Sequence, residues 1–456
     1  MAKRRHYTLH HLMKFSPAQL ILTFYLGAIL MTTSILALPF FYQEGVNVPL
    51  VDVLFVSVSA ISVTGLTTVP IGETFNTAGI IALSVVLHVG AAGLMTLTTF
   101  IWMALGKKIG ISERQLIMQD QNQTALGGMV QLVRQIVYVL LVVELIGVVL
   151  LTIRFLDYYD HFADALLHGF FGTISAISNA GFSIENNSLM DFNGDYYVQS
   201  IYMILIIFGA IGFPVLIEVR SFFHHRIKRQ RHLFRFSLFT KLTSLTFFLL
   251  IVFGTVMIYL LDAFKFFNGK VWHEGLFYAL FQSVTTRSSG LSTMDIGQLS
   301  EANHLFLSFL MFIGASPSSA GGGIRTTTFA LALIFVLTYI RGGKTVKVFN
   351  REIYTSDLQK AIVVIIIGIV AVYASTMTLT VIEPFSLTEI LLEVTSAFGT
   401  VGLSLGITAK LSTVSKFILM ILMFIGRIGV VTFLISFRQK EDKNNFHYPK
   451  ERVIIG

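Results

Sequence analysis

The sequence contains no cysteine, and only 13% of its 456 residues are charged. The absence of cysteine excludes disulfide bridges and thiol-based metal or redox sites. Soluble domains carry about 25% charged residues, so the low share of charge argues against an ordinary soluble protein. Hydrophobic residues make up 54% of the chain, and its mean hydropathy is +0.75. Because apolar runs of about 20 residues recur along its whole length, we predict a polytopic membrane protein.

The few charges predict how the chain is oriented in the membrane. Basic residues without acidic ones occupy 1–14 and 220–241, and another basic group lies in 341–351. The positive-inside rule places these segments in the cytoplasm, whereas the acidic loops between 157 and 195 are predicted to be extracellular. The basic runs are too scattered to indicate nucleic-acid binding. The basic segment 107–114 either orients the chain or belongs to a docking surface for a cytoplasmic partner.

An internal repeat organises the chain. Four ten-residue segments align on a glycine that is followed by Leu or Phe and then by Thr or Ser. The segments are SAISVTGLTT (59–68), SAISNAGFSI (175–184), VTTRSSGLST (284–293) and SAFGTVGLSL (396–405). Shared neighbours at near-constant intervals indicate a repeated structural unit rather than chance.

The sequence around each glycine repeats as well. Before it lies an apolar stretch of about a dozen residues, such as 50–62 or 386–398, which is too short to span a bilayer and suits a re-entrant helix. Spanning runs precede these stretches at about 18–40, 130–153, 239–262 and 359–382, and others follow at about 74–105, 197–223, 302–340 and 412–437.

These runs predict the fold class, an all-α polytopic membrane protein. Four outer helix–pore half-helix–filter loop–inner helix repeats would surround a pseudo-fourfold pore, giving eight spanning helices with both termini in the cytoplasm. The predicted repeats cover residues 1–110, 111–235, 236–350 with an interrupted inner helix, and 351–456 with the C-terminal tail.

The glycine loops are predicted to bind a cation through their backbone. Irregular backbone at membrane depth is tolerated only where protein buries it or where it lines a water-filled cavity. Glycine permits backbone angles that point successive carbonyl oxygens toward one axis, and Thr400-Val401-Gly402 matches the start of the potassium-channel filter. One such glycine would be interpreted as a helix C-cap, but four aligned copies favour a K+ filter. The predicted filter residues are Val63, Thr64, Gly65, Asn179, Ala180, Gly181, Ser288, Ser289, Gly290, Thr400, Val401 and Gly402.

The third inner run is interrupted by the sequence IGASPSSAGGGIRTTTF (313–329). Its proline stops a helix and its three consecutive glycines cannot nucleate one. Because irregular backbone at membrane depth must line something wet, we predict a movable gate below the filter, with a static kink as the alternative. The predicted gate residues are Gly314, Ala315, Ser316, Pro317, Ser318, Ser319, Ala320, Gly321, Gly322, Gly323 and Arg427.

Three inner runs carry a G-x-x-G pattern, at 90–93, 209–212 and 426–429. Small residues let membrane helices approach closely, so we predict a packing role for the pattern. Arg427 lies inside the last copy, where an arginine costs roughly 2.5–3.5 kcal/mol on insertion scales. This cost predicts that Arg427 faces the pore and opposes cation passage. The alternative is a structural brace bonded to carbonyl groups at helix ends.

The repeated unit, with SVTGL, SNAGFS, SAFGTVGL, MFIGRIG and LGKKIG, resembles the superfamily of Trk, Ktr and HKT potassium transporters, and within it the Ktr membrane subunits of KtrB type. The resemblance implies potassium uptake, often stimulated by sodium, with residues 314–323 as an intramembrane gate and Arg427 in the conduction path. In plant relatives a serine at the first filter glycine accompanies sodium preference, so Gly65 favours potassium.

The same resemblance implies the partners and cofactors. It implies a homodimer in the lipid membrane with one pore per subunit, bound to a cytoplasmic KtrA-type ring of nucleotide-binding regulatory subunits. A nucleotide of the ATP/ADP or NAD class would bind to that ring. This chain itself would carry no covalently bound cofactor, only K+ and possibly Na+ in the pore.

Three questions stay open at the level of sequence. Arg287 stands three residues before Gly290, where it either braces the loop, against Asp295 or a helix C-terminal end, or tunes the vestibule charge. The second question is whether the chain is an alternating-access K+/Na+ symporter, which would need a buried coupling carboxylate. Glu144 and Glu218 are the acidic residues in the spanning cores that could serve as one. No nucleophile–base pair is recognisable, so we do not expect an enzyme.

Overall fold

The protein is described by a computed structural model over residues 16–106, 109–121, 127–228 and 233–437, together with Pro449 and Glu451. Helices make up most of this part of the chain. Lys107 and Lys108 of the predicted docking surface, and the basic segment 1–14, lie outside the described residues.

The first half of the chain contains a long helix, a short helix and a broken helix pair, twice in succession. The first set is α1 (Pro17–Leu36), α2 (Leu50–Ser62), the one-turn α3 (Ile71–Thr74), α4 (Thr77–Ala92) and α5 (Leu94–Ala104). The connecting helix α6 (Ile111–Asp120) leads to the second set, α7 (Met129–Phe155), α8 (Phe162–Ile177), α9 (Tyr196–Ala210) and α10 (Phe213–Ile227).

The second half has the same order of elements. Its third set is α11 (Leu238–Leu261), α12 (Trp272–Thr285), α13 (Glu301–Phe312) and α14 (Thr326–Ile340). A small hairpin follows, with β1 (Lys347–Val348) antiparallel to β2 (Arg351–Glu352). The fourth set is α15 (Thr355–Ile382), α16 (Leu387–Gly399), α17 (Thr413–Ile428) and α18 (Val430–Ser436).

The four long helices α1, α7, α11 and α15 correspond to the predicted outer runs. Each is long and apolar enough to cross a membrane. The short helices α2, α8, α12 and α16 correspond to the predicted half-helices. The C-terminal ends of the short helices form the core of the molecule, since every residue from Phe55 to Ser62 and from Leu392 to Gly399 is buried.

The inner runs are not the continuous spans that hydropathy predicts. Three of them bend sharply, by 101° between α4 and α5, by 105° between α9 and α10, and by 99° between α17 and α18. The bends occur at Gly93, Gly212 and Gly429, whose φ angles of +85°, +99° and +91° favour glycine. A hydropathy window counts apolar residues and is blind to a change in helix direction, so the eight-span count stays a prediction.

The first glycine of each G-x-x-G pattern packs closely, as predicted. A Cβ built on Gly209 would overlap the backbone carbonyl of Ile177, and one built on Gly426 would overlap that of Phe398. A Cβ built on Gly90 would likewise lie 2.8 Å from the Ile61 carbonyl oxygen at the end of α2. The two glycines of the pattern therefore act differently: the first permits contact with a short helix, and the second permits the bend.

Residues 313–325 interrupt the third inner run, as predicted. Helix α13 ends at Phe312, and α14 begins at Thr326. A single parallel β-bridge pairs Ile313 with Ile324 and brings the two ends of the intervening segment together. Residues 314–323 therefore form a closed loop, called the gate loop below.

Candidate functional site: a ring of four glycine loops

The four aligned glycines share one unusual backbone conformation. Gly65, Gly181, Gly290 and Gly402 have φ angles of +93°, +70°, +75° and +96°. The residues two positions earlier, Val63, Asn179, Ser288 and Thr400, also have positive φ angles, of 57°, 55°, 92° and 49°. Positive φ is a genuine outlier for a β-branched residue such as Val63 or Thr400, and such strain concentrates at functional sites. Alternating backbone angles of this kind aim successive peptide dipoles to one side of the chain.

The four loops contact one another in a closed ring. A Cβ built on each glycine would overlap the backbone carbonyl oxygen just before the glycine of the next loop. The overlaps are Gly65 with Ala180, Gly181 with Ser289, Gly290 with Val401, and Gly402 with Thr64. The contacts thus run from the first loop to the fourth in chain order and back to the first. No side chain fits at any of the four positions, and the carbonyl oxygens of neighbouring loops lie close together.

A hydroxyl group near the end of each short helix holds the adjoining loop. The Ser59 Oγ atom accepts a hydrogen bond from the Gly65 N–H, and the Ser396 Oγ atom accepts one from the Gly402 N–H, each 3.0 Å long. Ser175 and Thr285 instead donate, each at 2.6 Å, to the carbonyl oxygens of Phe182 and Leu291. Sequence reasoning missed these four residues, although three of them align as the serine that opens each SA motif.

The third loop differs from the others, as its sequence suggests. In the other three loops the residue before the glycine donates its N–H to a carbonyl five positions back, whereas Ser289 donates to Thr285, four positions back, at 2.8 Å. The third loop is thus one residue tighter. Its Ser288 hydroxyl donates to the Thr400 carbonyl oxygen at 2.6 Å and so links the third loop to the fourth.

Arg287 braces the third loop from behind. Its side chain is fully buried, and its Nη2 atom donates to the Leu310 carbonyl oxygen at 2.7 Å, in the last turn of α13. Of the two partners considered from the sequence, the helix C-terminal end is the correct one. Asp295 instead accepts hydrogen bonds from the Gly297 N–H and from Gln298.

The gate loop is held by carbonyl groups where the inner helices end. The Ser316 N–H donates to Ala210 at 3.0 Å, and the Ala320 N–H donates to Gly209 at 3.1 Å. From the opposite side, the Gly323 N–H donates to the Gly426 carbonyl oxygen at 3.2 Å. The loop therefore connects the second inner helix to the fourth, and all of it except Pro317 is buried.

The gate loop also presses against two of the glycine loops. A Cβ built on Gly321 would lie 2.5 Å from the Ser288 Cβ atom, and one built on Gly322 would lie 2.5 Å from the Thr400 Oγ1 atom. Ser288 and Thr400 are the first residues of the third and fourth loops, at the side where the short helices end. The gate loop thus lies directly below the ring, and its glycines are required by this close approach.

Arg427 contacts the gate loop rather than lipid. Its guanidinium donates to the backbone carbonyl of Ala320 in the gate loop and to that of Gly90 at the end of α4, and its side chain is buried. A second arginine, Arg325, donates from below to the Ser316 carbonyl oxygen at 3.3 Å and to that of Gly321. Of the two interpretations considered for Arg427, the geometry shows the structural brace, with carbonyl partners in the gate loop and at the end of α4. Opposition to cation passage stays a prediction.

Asp120, which the sequence did not reveal, is a candidate site residue because it lies beside the two arginines below the gate loop. It ends the short polar helix α6, and the Tyr25 hydroxyl donates to its Oδ1 atom at 3.4 Å. Its carboxylate lies beside the bend at Gly93 and shares with Arg325 and Arg427 a cavity of about 20 Å³, room for about one water molecule. Helix α6 lacks an apolar run, and only the tertiary fold carries its end beneath the gate loop.

A second, larger cavity lies on the other side of the ring. It measures about 430 Å³ and is lined by all four glycines and by Glu185 and Asp295. Asp195, by contrast, caps α9 and receives a hydrogen bond from Arg154 at 2.6 Å. Of the acidic residues predicted between 157 and 195, Glu185 therefore faces this cavity, whereas Asp195 stabilises the fold. The cavities above and below the gate loop have no lining residue in common.

Glu144, considered as a coupling carboxylate, faces another helix. It lies 2.9 Å from the Nδ1 atom of His88 and pairs α7 with α4. Neither residue lines the cavities above and below the gate loop. This position agrees with the packing role that is most common for such residues.

Comparisons with known proteins identify the family and the fold of this chain. The TrkH family model, described as a cation transport protein, matches residues 27–448. The Ktr system potassium uptake protein D of Bacillus subtilis is 53% identical over 441 residues, covering 97% of each chain. The Ktr system potassium uptake protein B of the same organism is 35% identical, again covering 97% of each chain. The crystal structure of the potassium transporter TrkH from Vibrio parahaemolyticus has a TM-score of 0.70 at 19% identity, covering 91% of this chain and 84% of that one, and shows a shared fold.

Proposed function

We propose a function on the basis of the family, because this chain belongs to the TrkH family of cation transport proteins. The chain is the pore-forming membrane subunit of a Ktr-type system for potassium uptake. The observation that carries this proposal is the closed ring of Gly65, Gly181, Gly290 and Gly402. Two relatives whose names state potassium uptake match 97% of the chain and support the choice of ion.

The ring acts as a selectivity filter built from backbone oxygens. Four repeats around a pseudo-fourfold axis supply the twelve predicted filter residues. Potassium enters from the cavity that contains Glu185 and Asp295, where negative charge raises the local cation concentration. The ion then loses its water shell to the carbonyl groups. Glycine at all four ring positions keeps the oxygens accessible, because a side chain would displace the next loop.

The gate loop and Arg427 close the path below the filter. Residues 314–323 lie against Ser288 and Thr400 and are bonded to the second and fourth inner helices. Arg427 links the loop to Gly90 of the first inner helix. The guanidinium groups of Arg325 and Arg427 add positive charge under the filter, which opposes a cation. Opening requires the loop to leave the carbonyl groups of the inner helices, so a movement of those helices controls flux.

The movement comes from a cytoplasmic partner. Two copies of the chain, each with eight spans, one pore and cytoplasmic termini, assemble on a ring of KtrA-type regulatory subunits that binds a nucleotide of the ATP/ADP or NAD class. Sodium stimulates uptake. The connection between α6 and the gate loop supports this route, because Ser318 donates a hydrogen bond to the Gln121 carbonyl oxygen at the end of α6.

An alternating-access K+/Na+ symporter is the second candidate. The buried carboxylate of Asp120, below the gate loop, is the observation in its favour, since coupled carriers use such groups. The closed ring of backbone carbonyl oxygens at the floor of the upper cavity favours the channel-like mechanism. The two differ in one measurable property: a symporter drives potassium uphill on a sodium gradient, and a channel does not.

The deciding experiment is growth of a bacterium without its own potassium uptake on low potassium. The strain expresses this chain with a Ktr-type regulatory subunit, either as the parent or as Gly402→Ser. We expect the parent to rescue growth and Gly402→Ser to weaken the rescue or make it sodium-sensitive. Gly45→Ser is the matched control, because Gly45 also has a positive φ angle but has open space around it and lies away from both cavities. Equal growth of all three at equal membrane expression contradicts the filter, and failure of the parent contradicts potassium uptake.

A further inference from the structure

Glu393 is a fully buried carboxyl group that the proposed transport path does not use. It lies on the short helix α16 and is 0% exposed. Both of its oxygens accept hydrogen bonds from the Thr408 hydroxyl, each 3.1 Å long, and Oε1 also accepts one from the Ser404 hydroxyl. Among the described residues it forms no ion pair. A buried carboxyl held by hydroxyl groups alone is costly, which indicates a specific purpose.

The two hydroxyl groups belong to the segment that leaves the fourth glycine loop. Ser404 and Thr408 follow Gly402 in the chain and line the cavity above the ring. Their hydroxyl oxygens lie 3.0 Å apart, and Ser404 accepts the Gly406 N–H at 2.9 Å. Glu393 therefore ties the outer end of the fourth loop back to the short helix that precedes it, while Ser396 holds the glycine itself.

Glu393 can be compared with the residues at the equivalent position before the other three glycine loops. The residue three before each anchoring hydroxyl is Val56 in the first loop, Gly172 in the second, Gln282 in the third and Glu393 in the fourth. In the third loop the Ser292 hydroxyl donates to the Gln282 Oε1 atom at 3.5 Å, which is a longer version of the contact between Ser404 and Glu393. The third loop thus uses a neutral amide where the fourth uses a carboxyl, and the first two loops have no polar side chain there.

We propose that Glu393 is a positioning residue of the filter. By holding Ser404 and Thr408, it fixes the outer carbonyl groups of the fourth loop at the spacing of potassium and so sets the preference for potassium over sodium. Because a smaller ion is favoured when the surrounding oxygens can move inward, loosening this segment weakens discrimination. The inference rests on the proposed function, in which the four glycine loops bind potassium.

The test uses ion binding by the purified full-length chain and needs no regulatory partner. Ions that bind the native state raise the temperature of thermal unfolding by an amount that depends on the logarithm of the ion concentration relative to its dissociation constant. The ratio of the Na+ to the K+ concentration that gives the same rise in unfolding temperature measures selectivity, separately from stability. We compare the parent with Glu393→Ala, Glu393→Gln and Glu389→Gln. Glu389 lies one turn earlier on α16 and caps its N-terminus, where glutamine also serves.

We expect the ratio to fall about tenfold in Glu393→Ala, which corresponds to the loss of one charged hydrogen bond. Glutamine keeps the acceptor oxygen, so Glu393→Gln should stay within about threefold of the parent, and Glu389→Gln should match the parent. If Glu393→Ala does not fold, the double variant Ser404→Ala with Thr408→Val carries the same expectation.

Two outcomes overturn the inference. The first is a parental ratio in Glu393→Ala or in the double variant, which shows that the outer segment does not affect selectivity. The second is a ratio in Glu393→Gln as low as in Glu393→Ala, which shows that charge matters and positioning does not. A parent without preferential protection by potassium contradicts the proposed function itself, and the two failures are therefore distinguishable.

Discussion

Arg427 donates a hydrogen bond to the backbone carbonyl of Ala320, which lies 107 residues earlier in the chain. This bond joins the last inner helix to the gate loop at the level where α17 bends into α18. An arginine that is costly to bury is retained here because its donors satisfy carbonyl groups that no helix can satisfy. The gate loop is thus held by a side chain from another repeat, and its mobility depends on that repeat.

Removing this side chain should open the path. In Arg427→Ala the gate loop loses the charged donor to the Ala320 carbonyl oxygen, a bond worth about 1.5–3 kcal/mol, and we expect a higher potassium flux per folded molecule. Flux into liposomes, divided by the amount of folded protein, measures the effect. Arg341→Ala, at the exposed end of α14, is the control. An unchanged flux per folded molecule together with less folded protein would show a purely structural brace.

Adding a methyl group to the closely packed gate loop should also raise potassium flux, because it destabilises the closed position of the loop. In Gly322→Ala the new methyl group meets the Thr400 hydroxyl and, at 2.8 Å, the Gly426 carbonyl oxygen. Overpacking costs about 1–3 kcal/mol, which shifts an open–closed equilibrium roughly tenfold. We expect a higher basal flux without the regulatory partner. Gly27→Ala, where a Cβ has open space, should leave basal flux at the parental level, and a parental flux in Gly322→Ala argues against a movable loop.

The hydroxyl anchor of the fourth loop should matter for ion affinity. In Ser396→Ala the Gly402 N–H loses its acceptor at 3.0 Å, and a buried unsatisfied donor costs about 1–3 kcal/mol. We expect weaker potassium protection against thermal unfolding. Ser34→Ala removes a hydroxyl that bonds only within its own helix and should retain parental protection. Equal potassium protection in both variants would show that the anchor does not shape the filter.

The Asp195 carboxylate should make part of the thermal stability of the protein depend on pH. Burial alone would raise the pKa of Asp195, but the hydrogen bonds from Arg154 and from the Val198 N–H outweigh burial and lower it. A lowered pKa contributes stability above the unfolded pKa of about 3.9, and this contribution is lost as the pH falls through the folded value. Asp195→Asn should therefore unfold at a lower temperature than the parent at pH 7.

The difference should shrink when thermal unfolding is measured below about pH 4. Asp157→Asn is the control, because Asp157 bonds the same Arg154 from an exposed position and should have a smaller effect. A difference between the parent and Asp195→Asn that stays constant with pH would contradict the role of the Asp195 charge.

The sequence by itself determined the features that depend on local chemistry. Glycine at four aligned positions permitted the backbone angles of the loops, and the apolar stretches before them were too short to span. The proline and glycines of 316–323 excluded a continuous helix. These signals lie within a few residues of one another, so local sterics and hydrophobic length are sufficient to predict them.

Only the tertiary structure decided how distant residues meet. The bends at Gly93, Gly212 and Gly429 are invisible to hydropathy, because a bent and a straight apolar helix have the same composition. Asp120 comes from a polar helix, and Arg427 finds its partners in two other repeats. Contacts of this kind join residues that are far apart in the sequence. They form only when all four repeats pack together, because that packing brings the partners within contact distance.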